Sequence, residues 1–200
     1  MKTKSKTKIL QLKITLKDIK PSIWRKILVE DTITFRKFHY ILQIVMGWGG
    51  GHLHEFSINN YAIGPTEDDD ALDYKPDLIS DRKITLQEVI SDEKEKFTYN
   101  YDFGNDWEHI IVVEKILPKE DKKFYPVCLN GSRACPPEDC GGPWGYDELL
   151  KILADKKHPQ HKEQQQWLED VMGYEEGYDA EFFDVAEINE ILQYKSSSQN

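Results

Sequence analysis

Two histidines one residue apart, His52 and His54, form the most suggestive chemical pair in the chain. In an extended strand, residues i and i+2 share a face, so both imidazoles could meet one ion. A second set follows in Asp102, Asp106, Glu108 and His109. If a strand over 52–59 lies beside a hairpin over 96–117, the two sets converge. Two or three histidines plus a carboxylate suit Zn²⁺, Mn²⁺ or Fe²⁺. His52, His54 and His109 are then the candidate metal ligands. Asp102, Asp106 and Glu108 are the candidate catalytic carboxylates beside a metal-bound water. The competing reading is structural, with His and Asp at strand ends satisfying turn amides and each other.

A second constellation is the loop CLNGSRACPPEDCGGPWGY at 128–146. The gap from Cys135 to Cys140 lies within zinc-ligand spacing, with Cys128 as a possible third thiolate. The paired C-x-x-C knuckles of a zinc ribbon are missing, so buried structural thiols are the preferred reading. Pro136 and Pro137 stiffen the loop and Gly141-Gly142 permits unusual backbone angles. Arg133, Glu138, Asp139, Trp144 and Tyr146 are the candidate binding residues. The alternative for Trp144 and Tyr146 is a plug at the sheet–helix junction.

Several lookalikes fail on context. Asp102-Phe103-Gly104 copies the kinase metal-binding triplet, yet no His-Arg-Asp loop accompanies it. The glycines of 47–51 lack the Lys-Ser/Thr of a phosphate loop. The run Glu67 to Asp70 lacks the glycine and terminal Glu of a calcium loop. His158 and His161 read as a solvent-facing helix start.

The elements that must position these residues follow from periodicity. Residues 8–18 alternate, with Leu10, Leu12, Ile14 and Leu16 on one side, which predicts a half-buried strand. SIWRKILVE (22–30) is a second strand candidate, so the opening reads as a hairpin or a paired edge. Phe35, Phe38, Leu42 and Val45 fall on one helical stripe, with Thr34 as N-cap and Gly47 as C-cap. Strand period returns at 52–59, and 64–82 reads as a loop or flap. Thr85 with Glu88 marks a capping box. Strands at 96–104 and 106–117 flank the turn pair Gly104-Asn105. Residues 126–146 read as irregular, and helices are expected at 147–155, 160–171 and 184–194, the last capped by Asp184. Strands before 118 and helices after 146 predict an α+β fold: an antiparallel sheet with helices on one face and a helical C-terminal third. The expected organisation is a basic disordered tail at 1–7, one domain at 8–194 and a loose end at 195–200.

The composition sets limits on partners. The 200 residues carry 26 Lys and Arg against 36 Asp and Glu, a net charge of -10, with four of the lysines in the first eight positions. The remaining body repels a phosphate backbone, which disfavours DNA as a partner. No apolar run approaches membrane-spanning length, and no secretion-signal core follows the basic start, so no membrane partner is expected. Three cysteines, an odd number, fit a reducing cytoplasm.

Five stretches together resemble the plasmid pRiA4b ORF-3-like family. They are ITLKDIKPSIWRKILV (14–29), the helix end MGW (46–48), HLHEF (52–56), YDFGNDWEH (101–109) and CPPEDCGGPWGY (135–146). The resemblance covers roughly residues 8–194 and implies one α+β domain in a largely uncharacterised family. Some members carry a transposon-resolvase label, which adds a mobile-element accessory protein to the alternatives. A serine recombinase needs arginines around its serine and a basic DNA-binding part. This acidic chain has only Arg25, Arg36, Arg82 and Arg133.

Three readings follow. The first is a binding or adaptor module using the polar and aromatic loop cluster, with a protein or small molecule as its unidentified partner. The second is a small metal-dependent hydrolase-like enzyme with a divalent transition metal as cofactor. The third is the mobile-element accessory protein.

Overall fold

The computed structural model describes residues 6–66 and 77–197. The expected tails therefore fall largely outside the described residues, as does the acidic run at 67–70. Among the described residues eight strands form one sheet: β1 (Lys8–Leu16), β2 (Trp24–Glu30), β3 (His54–Ile58), β4 (Tyr61–Gly64), β5 (Ile79–Ser80), β6 (Lys96–Tyr101), β7 (Trp107–Pro118) and β8 (Val127–Ser132). Their spatial order is β5-β4-β3-β6-β7-β1-β2-β8, and every pair is antiparallel except β4 with β5. The helices are α1 (Phe35–Met46), α2 (Leu86–Val89), α3 (Gly142–Ala154), α4 (His161–Asp170) and α5 (Val185–Ser197). The fold is α+β, with the helical C-terminal part that the segregated pattern predicts. No helix among the described residues is long and apolar enough to cross a membrane.

The alternation of β1 works as expected: Leu10, Leu12, Ile14 and Leu16 are buried while Gln11, Lys13 and Thr15 are half-buried on the other face. Helix α1 covers the apolar face. Its stripe packs Phe35 and Phe38 on Phe56 of β3, with ring centroids 5.0 and 5.6 Å apart. Burying one such ring is worth roughly 1.5–3 kcal/mol. Thr34 accepts from the Lys37 N–H at 3.2 Å, and Gly47 closes the helix at φ 85°, the left-handed angle that favours glycine. Glu88 accepts from the Thr85 N–H at 2.7 Å, as the capping box requires.

The structure differs from the expectation at five elements. β5 falls where a loop is expected, and β4 lies almost wholly in the stretch before that loop, for which no element is expected; both are too short for alternation to show. β8 lies in the stretch read as irregular. Lys26 pairs with Asn130 and Ile27 with Cys128, so Leu129 is an extra residue, a bulge that breaks the two-residue period. Helix α3 begins five residues early because Pro143 is tolerated in a first turn. Helix α5 continues through Ser197, past the expected boundary at 194, and Asp184 caps it by accepting from the Ala186 N–H at 2.7 Å. The side-chain amide of Asn189 on α5 binds both the N–H and the C=O of Cys128, at 2.8 and 2.9 Å.

Candidate functional site

The antiparallel order brings three loops to the end of the sheet where α1 finishes. The first follows α1 and contains Gly49 and His52. The second is the β6–β7 turn, 102–106. The third is the 133–142 segment leading into α3. Trp48 ties the first to the third, its indole N–H donating to the Pro136 carbonyl at 2.8 Å.

The β6–β7 turn is tight. Asp102 and Asp106, not Gly104 or Asn105, adopt left-handed angles, φ 57° and 56°. Asp tolerates this region better than most side chains. The Asp102 carboxylate accepts from the Gly104 N–H at 3.1 Å and from the Asn105 side-chain amide. In the third loop Asp139 sits at φ 62°. Gly142 packs so closely on the turn that a Cβ there would lie 2.4 Å from the Asn105 carbonyl oxygen. Glu138 accepts from the Tyr101 hydroxyl at 2.6 Å and from the Gly49 N–H at 2.7 Å. Burial raises the Tyr101 phenol above its ordinary value, and the hydrogen bond to Glu138 adds to this, so the proton stays on Tyr101.

His52 closes the cluster. Its Nε2 lies 3.8 Å from Asp102 Oδ2 and 3.5 Å from Asp139 Oδ1. The three ligand atoms lie within 4.8 Å of one another, and no other group of three metal-ligating side chains does so among the described residues. Tetrahedral zinc with bonds near 2.1 Å needs ligand atoms about 3.4 Å apart. A contraction of a few tenths of an ångström at most pairs would reach that spacing. Asp102 is 7% exposed, whereas His52 and Asp139 are open to solvent, so further ligand positions face water.

The remaining metal and carboxylate candidates lie elsewhere. β3 starts at His54, so His52 precedes it and the shared-face rule does not reach it. His54 is buried and donates from Nε2 to Asp81 at 2.9 Å, while Arg36 donates to the same Asp81 oxygen at 2.7 Å. His39 of α1 stacks on His54, centroids 3.7 Å apart and planes 7° apart. Tyr99 accepts from Gln43 and donates to His39 Nδ1, both at 2.8 Å. Burial lowers both imidazoles, His39 to about 2, so the stacked pair is neutral. Asp81 is held below its ordinary carboxylate value by His54 and Arg36, against the opposing effect of burial. His109 is wholly buried under Trp48, and its Nδ1 donates to the Trp107 carbonyl at 2.9 Å. Burial lowers it to about 4. Asp106 accepts from Asn100 at 2.7 Å, and Glu108 pairs with Lys17 at 2.7 Å, neither reaching His52.

The binding candidates divide. Glu138 and Asp139 are in the cluster. Trp144 stands in the first turn of α3 with 88% of its surface exposed, which excludes the plug reading for it. Tyr146 is buried and bonds to Tyr178 at 2.9 Å, which does plug the junction. Arg133 is buried away from Glu138 and Asp139, donating to Glu181 at 2.7 Å and to the Pro21 carbonyl at 2.8 Å. The thiols of Cys128, Cys135 and Cys140 are all free and form no metal-sized group. Burial raises them, Cys135 to about 11 and Cys140 to about 12, so they stay protonated. His161 is buried, bonded from Nδ1 to the Ile152 carbonyl at 2.9 Å, which corrects the solvent-facing reading. The His39–Tyr99–Gln43 and Arg36–Asp81–His54 contacts were not foreseen. His39 lies on the core stripe of α1, four residues after Phe35, and that spacing is the available signal.

Comparison with known proteins adds a family and no activity. The family model for plasmid pRiA4b ORF-3-like proteins matches residues 8–187. The chain is 36% identical over 160 residues to an uncharacterised protein, y4hQ, of Sinorhizobium fredii (strain NBRC 101917 / NGR234), covering 80% of each sequence. It is also similar to the crystal structure of a protein of unknown function, MM3350, from Methanosarcina mazei Go1. That match has a TM-score of 0.80 and 36% identity, covering 92% of this chain and 98% of that one.

Proposed function

The chain belongs to the plasmid pRiA4b ORF-3-like family, and from that premise we propose that it is a binding module whose ligand-contacting surface is the three-loop cluster. One observation carries this reading. Trp144 is 88% exposed on the segment that also holds Glu138 and Asp139 against Tyr101 and His52. An exposed indole beside fixed carboxylates offers an apolar face with directional acceptors, a common composition for an interface anchor. The acidic body favours a protein or small molecule over DNA. Free thiols in all three cysteines fit a cytoplasmic location.

The test places a photo-crosslinking amino acid at position 144 in cells, with position 40 as an equally treated control. Tyr40 is also exposed, on α1. Adducts at 144 that exceed the control and fall in Asp139→Ala support the reading. Equal yields at both positions overturn it.

A second reading, a metal-dependent hydrolase-like enzyme, is favoured by the mutual approach of His52, Asp102 and Asp139. These residues would hold a divalent cation, which would activate a bound water. Elemental analysis of unchelated protein tests it. Near one equivalent of metal, lost in His52→Ala, supports this reading, and no metal removes it.

A further inference from the structure

The opposite end of α1, about 18 Å away for a 12-residue helix, carries a cavity of about 370 Å³. It lies outside the three-loop cluster, and nothing in the proposed function uses it. Its volume falls within the roughly 300–1,000 Å³ of small-molecule sites. Val29, Ile33, Ile41 and Pro126 give it apolar walls.

The charge at its mouth is uncompensated. Glu30 lines the cavity, but its carboxylate already accepts from Lys119 Nζ at 2.6 Å. Lys37 also lines it, is exposed, and has no carboxylate within ion-pair reach among the described residues. The first turn of α1 contains no acidic residue, so the positive end of the helix dipole adds to Lys37. The first-turn amides are themselves occupied: Phe35 N–H goes to the Ile84 carbonyl, Arg36 N–H to the Asp81 carbonyl and Lys37 N–H to Thr34 Oγ1. An anion here is therefore held by the Lys37 ammonium and by the Thr34 hydroxyl, which accepts from Lys37 N–H and keeps its own proton to donate.

We propose that this cavity binds a small organic anion, its carboxylate or phosphate on Lys37 and its apolar body against Val29, Ile33, Ile41 and Pro126. Apolar walls with one or two converging polar groups are the usual construction of such sites.

The experiment is an amide-resolved NMR titration of the full chain with four probes of matched ring size. They are benzoate, phenyl phosphate, neutral benzyl alcohol and cationic benzylamine. Expected is saturable movement of the Ile33, Thr34 and Tyr125 signals with one or both anions, and at least tenfold weaker binding of the other two probes. Lys37→Glu should abolish the anion response and Lys37→Arg should keep it. Benzoate against phenyl phosphate tells a carboxylate ligand from a phosphate ligand. No saturable response to either anion overturns the proposal. So does a response of equal strength to benzyl alcohol, or one unchanged in Lys37→Glu.

Discussion

Lowering the pH from 7 to 5 should destabilise this protein well before its carboxylates titrate. Two buried histidines set the magnitude. Burial holds His39 at about 2 and His109 at about 4, both below the ordinary 6.5. A depressed imidazole binds a proton less readily folded than unfolded. Its penalty is therefore absent above pH 6.5 and grows as pH falls toward the folded value. Between pH 7 and 5 each unfolded imidazole gains just under about 2 kcal/mol of protonation free energy that its folded counterpart lacks, or about 4 kcal/mol for the two. His54 is shifted the same way and adds to the loss. The lowered carboxylates Asp81, Glu88 and Glu114 lose their contributions only below their ordinary values near 4, beneath this window. A loss of about 4 kcal/mol is a large share of a typical 5–15 kcal/mol stability. Urea unfolding followed by far-UV circular dichroism at pH 7, 6 and 5 measures it, with the m value held constant as the check on two-state behaviour. His109→Gln, which keeps a donor for the Trp107 carbonyl, should be less stable at pH 7 and should show a smaller pH dependence, with His39 and His54 still contributing. A loss under about 1 kcal/mol from pH 7 to 5, or an unchanged slope in the variant, would refute the assignment of neutral buried imidazoles.

Gly142→Ala should lower stability by about 1–3 kcal/mol, because φ is 70° and the new Cβ would meet the Asn105 carbonyl at 2.4 Å. A drop in Tm of about 2–4 °C per kcal/mol is the readout for a chain of this size. Asp81→Ala should cost about 3–5 kcal/mol, since it removes the shared acceptor of His54 and Arg36 from a buried pair; denaturant midpoints measure this. Tyr101→Phe should cost about 1 kcal/mol in the same assay. It should also weaken crosslinking at position 144, because Glu138 loses its 2.6 Å bond to the phenol while the fold remains.

Much of the frame was legible because it follows from local rules. The stripe of α1 with Thr34 and Gly47 at its ends, the alternation of β1, the β6–β7 hairpin and the Asp184 cap all need only a few neighbouring residues. The strands that escaped notice are short or interrupted: β5 has two residues, and β8 carries its bulge at Leu129. Of the site, the approach of His52 to Asp102 is expected, and Glu138, Asp139 and Trp144 are read as one loop, but the joining of that loop to His52 and Asp102 is not. The i, i+2 rule linked His52 to His54, whereas His52 lies before the strand and turns toward Asp139. The proximity of Asp102 and Asp139, 37 positions apart in sequence, depends on how Gly142 packs against the hairpin turn. No local pattern encodes such a contact. His54 and His109 look like ligands by type, yet both face the core, where Asp81 and a backbone carbonyl satisfy one nitrogen of each ring.

The Asn189 amide that meets both backbone groups of Cys128 has a consequence for self-association. β8 is the last strand on its side of the sheet, and an open strand edge is a template for another chain. With one side chain, α5 imitates the pairing that a neighbouring strand would supply. The Asn189 amide thus occupies, at Cys128, the edge groups that an added strand would use. At the far edge β5 offers only two residues, too short a run to seed growth from that side.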